Sequence, residues 1–185
     1  PLHMAYILPW VFLVAVGTRL QRATGWLLTI SGMAACIWVA VNADALGDQY
    51  GSLEGSIQTV IAITLLLVTM EGARRAIGWP LPIIAALALA YGVWGQYMPG
   101  EFGHAGLPLT SFLGTLTIAE GGLWGSLTAV SVGVVAVFVI FGAILNAGEA
   151  GNGFMNLAAT AAGRSVGGAA KVAVVSSALF GSISG

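Results

Sequence analysis

Charge is what this sequence has least of. Only 7% of its 185 residues are Asp, Glu, Lys or Arg, where a soluble domain carries roughly a quarter. Cysteine occurs once, at Cys36, which excludes an intrachain disulfide. No His, Cys, Asp and Glu cluster has metal-ligand spacing, and no nucleophile–base pair or paired carboxylates stand out. GSISG at the C-terminal end is not G-x-S-x-G, because its central residue is Ile183. Lys171 and Ser176 sit roughly 140° apart around a helix and make a poor Ser–Lys pair. An enzyme is therefore not expected. A formal net charge of −1 without a basic patch excludes nucleic acid as a partner.

What fills the space is apolar. Hydrophobic residues make up 58% of the chain, and residues 23–43, 76–100 and 121–148 contain no charged side chain. A bilayer core about 30 Å thick asks for about 20 apolar residues per helix. The fold class is all-α: a polytopic helical membrane protein embedded among membrane lipids. No signal peptide is legible in the opening PLHMAYILPW, which lacks a basic n-region and a cleavage site. It opens on Pro and not on Met, so a segment cut at both ends is expected, with one more helix ahead of Pro1.

The few charges set the topology. Arg19 and Arg22 follow the first apolar run, Asp44, Asp48 and Glu54 the second, Arg74 and Arg75 the third, and Glu101 and His104 the fourth. Short loops rich in Arg and Lys stay inside, so the loops alternate in, out, in, out. Four spans are expected at about 4–18, 24–43, 56–73 and 80–97, with Trp and Tyr near their ends as interfacial anchors. Pro80 and Pro82 suit a first helical turn. Residues 1–98 form a four-helix membrane region and 99–111 an external connecting loop. A helical piece then ends at Glu120-Gly121-Gly122, and a fifth span runs from 125 to 147. Residues 152–163 are too short to span and are expected as an interfacial helix.

The segment after Lys171 raises a different question. Its 14 residues make about 21 Å of helix, enough to reach mid-membrane only. A helix that stops there leaves carbonyls without partners at the negative end of its dipole. Ser182 and Ser184 add hydroxyls beside glycines that permit an unwound backbone. Transporters hold Na⁺ and substrate at such broken helices. Against this stands plain packing: G-x-x-x-G spacing occurs at Gly121–Gly125, Gly163–Gly167 and Gly181–Gly185. Both readings stand on the residues alone.

Several ordered features then converge. Glu71 with Arg74-Arg75, Tyr91, Pro99-Gly100, His104, Glu120-Gly121, Phe141-Gly142 and the run GGAAKVAVVSSALFGSISG together resemble the fused permeases of tripartite ATP-independent periplasmic (TRAP) transporters. That resemblance implies small-subunit-like helices over 1–98 and the start of the large transport subunit over 112–185. Residues 167–185 would be the first arm of a re-entrant hairpin entered from the cytoplasm. It implies a Na⁺-driven elevator in the inner membrane of a bacterial or archaeal cell. Carboxylate solutes would be delivered by a TAXI-type periplasmic binding protein, with Na⁺ as coupling ion and no other cofactor. Gly181, Ser182, Ser184 and Gly185 carry over as ion- or substrate-site residues, with Na⁺ at Ser182 and Ser184. The rest of the transport domain is expected beyond Gly185.

Other candidates keep two readings each. Glu101 and His104 either contact the binding protein or belong to a solvated loop. Glu71 with the two arginines makes either a helical ion pair or a relay. Glu120 is a functional candidate by its apolar context, or a brace for the glycine bend. The alternative function is a non-transporting scaffold packed through small-residue helix faces. The topology is open to a direct check in a Cys36→Ser background. An impermeant maleimide is expected to label Asp48→Cys in intact cells, and Ala76→Cys only after the membrane is opened; the reverse order would invert the assignment.

Overall fold

The computed structural model describes residues 1–14 and 18–184, and every regular element among them is helical. The chain divides into two compact units, Pro1–Ser126 and Leu127–Gly185. The first holds α1 (Leu2–Val14), α2 (Arg19–Val41), α3 (Ala43–Gly47), α4 (Gly55–Ile77), α5 (Pro80–Trp94) and α6 (Leu109–Thr117). The second holds α7 (Ser126–Ala147), which starts at the boundary, α8 (Ala150–Ala162) and α9 (Gly168–Ser184).

Local chemistry explains where these helices begin and bend. α1 passes into a π-helical turn at Trp10–Val14 directly after Pro9. Proline has no N–H for the preceding turn, so the hydrogen-bond ladder slips there. α2 starts with a capping box: Gln21 N–H donates to Thr18 Oγ1 at 3.2 Å, and Thr18 N–H donates to Gln21 Oε1 at 3.0 Å. α4 ends at Gly78, whose φ of 97° only glycine adopts without strain. Pro80 then opens α5 in the first turn, as the sequence predicts.

Among the described residues, three helices are long and apolar enough to cross a bilayer: α2, α4 and α7. The other two expected spans are helical at the expected places but shorter. α5 has 15 residues, because the backbone tightens into a 3₁₀ turn at Gly95–Tyr97. In α1 the described helix stops at Val14, and residues 15–17 of the expected span lie outside the described residues.

Packing in the first unit rests on small residues. Between apolar helices in lipid, close van der Waals contact replaces the hydrophobic drive of water. α2 buries Gly25, Thr29, Gly32, Ala35, Cys36 and Val39 on one stripe. A Cβ on Gly25 would stand 2.6 Å from the Phe12 carbonyl oxygen, and one on Gly32 2.7 Å from Leu8 Cδ1. These two glycines let α1 lie against α2, while Leu65 and Val68 of α4 close the core from another side. At the far end α6 sits on the 51–53 segment, with Gly114 against the Gly51 carbonyl and Leu53. Trp124 Nε1 donates back to Thr117 O at 2.8 Å, folding 118–125 against α6.

α6 and the loop before it pack within the first compact unit, which runs to Ser126. The G-x-x-x-G matches are not packing sites among the described residues. A Cβ on Gly121, Gly167 or Gly181 would meet nothing within 4 Å, and Gly125 and Gly163 face only nearby backbone of their own turns.

In the second unit, α7 carries a π-helical turn at Ser131–Val135 around Gly133, and none of its spanning window is buried. Its Val, Ile and Phe side chains face outward all round, as lipid requires. After a left-handed residue at Glu149 (φ 55°), α8 and α9 pair along their length. Phe154 near the start of α8 meets Phe180 near the end of α9 edge-to-face at 6.2 Å, so the two run antiparallel. Ala158 is fully buried at the contact. The expected interfacial helix is therefore the packing partner of the expected hairpin arm.

Gly25 and Gly32 separate two kinds of cost. Gly25→Ala presses on backbone and is expected to destabilise by about 1–3 kcal/mol. Gly32→Ala meets a side-chain methyl that can turn aside, and a change within about 1 kcal/mol is expected after the helix-propensity gain. Unfolding of the detergent-solubilised variants in denaturant measures both; equal losses would refute the difference in backbone contact.

Candidate functional site

Three places gather the residues singled out by the sequence. The first is the basic end of the first unit. Glu71 is bound by Arg74 through Nε at 2.6 Å and Nη2 at 2.7 Å, and by Arg75 through Nε at 2.8 Å. The i,i+3 and i,i+4 spacing on α4 makes this fork, so the ion-pair reading holds. Arg75 goes further. Its Nη1 donates to Phe12 O at 3.3 Å and Gln21 O at 3.4 Å, and its Nη2 to Thr24 Oγ1 at 3.0 Å. Its guanidinium also lies 5.0 Å over the Phe12 ring. One side chain ties α1, α2 and α4 together. Arg74 turns the other way and stacks 5.1 Å over Trp79, at the turn into α5. The sequence marks the arginines but not the α1 and α2 partners of Arg75, which lie more than fifty residues away.

The second place is the loop after α5. His104 is half-buried, not free in solvent. Gly106 N–H donates to its Nδ1 at 3.0 Å, which leaves the proton on Nε2, 3.1 Å from the Tyr91 carbonyl. Tyr91 hydroxyl donates to Phe102 O at 2.7 Å, and the Tyr91 and His104 rings meet edge-to-face at 5.4 Å. Gly95 is the floor: a Cβ there would stand 2.5 Å from the imidazole. His104 is thus a staple holding 100–106 onto the end of α5, while Glu101 stays exposed. Glu120 is exposed beside the turn, at the surface and not inside the bundle.

The third place is the end of α9. The helix runs unbroken through Gly181 to Ser184, where the sequence suggested unwinding. Ser182 Oγ donates back to Leu179 O at 2.9 Å, which satisfies the hydroxyl within the helix. Ser182 is exposed, and open space lies beside Gly181. The side chain of Ser184 and all of Gly185 lie outside the described residues. At the other end, Lys171 Nζ donates to Ser165 Oγ at 3.2 Å, closing the α8–α9 turn. Among the described residues no group of three His, Cys, Asp or Glu can hold a metal ion.

A family model described as "Tripartite ATP-independent periplasmic transporter, DctM component" matches residues 63–185. The chain belongs to this family. It is a multi-pass membrane component of a TRAP transporter, a system that works with a periplasmic binding protein. The match begins inside α4, so it takes in the arginine pair, the His104 loop and the α8–α9 hairpin. No curated protein and no solved structure matches the chain.

The two arginines are expected to differ sharply. Arg75→Met strands the carbonyls and hydroxyl it serves and should cost about 3 kcal/mol, as breaking a buried pair does. Arg74→Gln leaves Glu71 with Arg75 and should cost no more than about 1 kcal/mol. Denaturant titration in detergent reads both, and similar losses would remove Arg75 from its tying role.

Proposed function

We propose that this chain is part of a Na⁺-coupled permease that takes up carboxylate solutes by an elevator movement in the inner membrane. The family match across 63–185 carries the reading. The α8–α9 hairpin supports it, since the α9 segment carries the glycine- and hydroxyl-bearing run Gly181, Ser182, Ser184 and Gly185 after Lys171. A helix C-terminus at mid-membrane presents carbonyl oxygens and the negative dipole end, suited to a small cation. In this reading Gly181 and Gly185 let a partner segment approach, and Ser182 and Ser184 lend oxygens to Na⁺. The Ser182 hydroxyl can still accept from outside while it donates to Leu179 O.

Residues 1–98 would serve as the small-subunit-like frame and 112–185 as the start of the transport subunit, with 99–111 between them. The binding protein would be of the TAXI type. Its contact would lie at Glu101 and His104, a reading supported by the exposed Glu101 carboxylate and by the loop that His104 holds in shape. A carbonyl-fixed loop offers a docking surface at little ordering cost.

Uptake by the full-length permease in proteoliposomes tests the assignment. Transport is expected only with both a Na⁺ gradient and the binding protein. Ser182→Ala should raise the Na⁺ concentration for half-maximal uptake severalfold, and Glu101→Gln should weaken only the dependence on binding protein. Uptake indifferent to Na⁺ would overturn the coupling, and uptake without the binding protein would overturn the tripartite reading.

A further inference from the structure

Between the end of α4 and the start of α5 lies a cleft of about 280 Å³. Its walls are Leu67 and Met70 from α4 and Pro82, Ile83 and Ala86 from α5. At roughly 30 Å³ per water-sized group it has room for about nine. That suits a stretch of hydrocarbon and not a whole solute. Polarity is confined to one end, where Glu71, Arg74 and Trp79 form the rim. Leu67 lies one turn deeper than Glu71, and Ala86 about 10 Å deeper than Trp79 along the helix. The cleft is therefore charged at the interface and apolar toward the membrane centre.

The rim has a surplus of positive charge. Glu71 spends both carboxylate oxygens on Arg74 and Arg75. Arg75 is turned into the α1–α2 contact, whereas Arg74 uses Nε and Nη2 only, with its Nη1 edge unpartnered among the described residues. Arg19 and Arg22 start α2 at the same end, because Arg75 reaches Gln21 and Thr24. Trp79 lies against the Arg74 guanidinium and holds it at the mouth. A ligand with a phosphate at one end and an alkyl chain at the other matches this arrangement on both counts. We infer that the α4–α5 cleft holds an acyl chain of an anionic phospholipid, with its phosphate bound by the free edge of Arg74. The inference is independent of the proposed Na⁺ site.

Native mass spectrometry of the detergent-purified full-length permease tests it. The probes are phosphatidylglycerol and phosphatidylcholine with identical acyl chains, and free glycerol phosphate. Phosphatidylglycerol should be retained about fivefold over phosphatidylcholine, the factor for roughly one interfacial arginine. Arg74→Gln should bring that ratio close to one. Ala86→Trp, which fills the cleft without touching charge, should reduce retention of both lipids alike. Glycerol phosphate at the same concentration should displace neither. Equal retention of the two lipids by the unmodified protein would overturn the proposal, as would an unchanged ratio in Arg74→Gln or full retention in Ala86→Trp. Displacement by glycerol phosphate would reassign the rim to a soluble phosphate.

Discussion

A guanidinium can sit at the edge of a hydrocarbon layer only if nearly every N–H finds an acceptor, and Arg75 meets that condition by binding three helices at once. Its partners are a carboxylate on its own helix, a carbonyl at the end of α1, and a carbonyl and hydroxyl at the start of α2. The Phe12 carbonyl lies in the π-helical turn that follows Pro9. The same oxygen stands over Gly25, where a larger residue would push α1 away. Glycine and arginine on two different helices therefore serve one contact with a third. With Arg75 directed inward, Arg74 is left to face Trp79 and the cleft.

The far end of the first unit is closed by different means. There the polar groups are mostly backbone, and glycines admit the crossing elements. Gly114 allows α6 onto the 51–53 segment, Gly92 admits the Phe112 ring, and Gly95 admits His104. The external loop is consequently held against helix ends, not suspended from them.

Much of this was legible in the sequence because charge is so scarce. Each break between apolar runs is marked by an arginine pair or an acidic group, and helices α2, α4 and α7 fall where those breaks allow. The ion pair of Glu71 follows from spacing on one helix. What the sequence hides is pairing at a distance. Among the described residues the spacing of four at Gly121, Gly163 and Gly181 meets no other helix, while the close approach occurs at Gly25 and Gly32, seven apart. Two turns bring residues seven apart back to one face, so that spacing is equally valid, but nothing in one dimension says which stripe has a neighbour. The packing of α6 is hidden for the same reason: the glycines and prolines of 99–111 announce a loop, but not that the helix after it returns to the 51–53 segment. At Gly181 a permissive residue proved compatible with a continuous helix, since the Ser182 hydroxyl finds its acceptor one turn back.

The lengthwise separation of charge in the first unit has an electrical consequence. Arg19, Arg22, Arg74 and Arg75 gather at one end with Glu71, while Asp44, Asp48 and Glu54 occupy the loops at the other. Across a polarised bilayer that is negative on the arginine side, moving one such charge to the opposite face costs about 2.3 kcal/mol per 100 mV. With its arginine end on the negative side, as the loop charges predict, the bundle would be a small dipole aligned with the voltage.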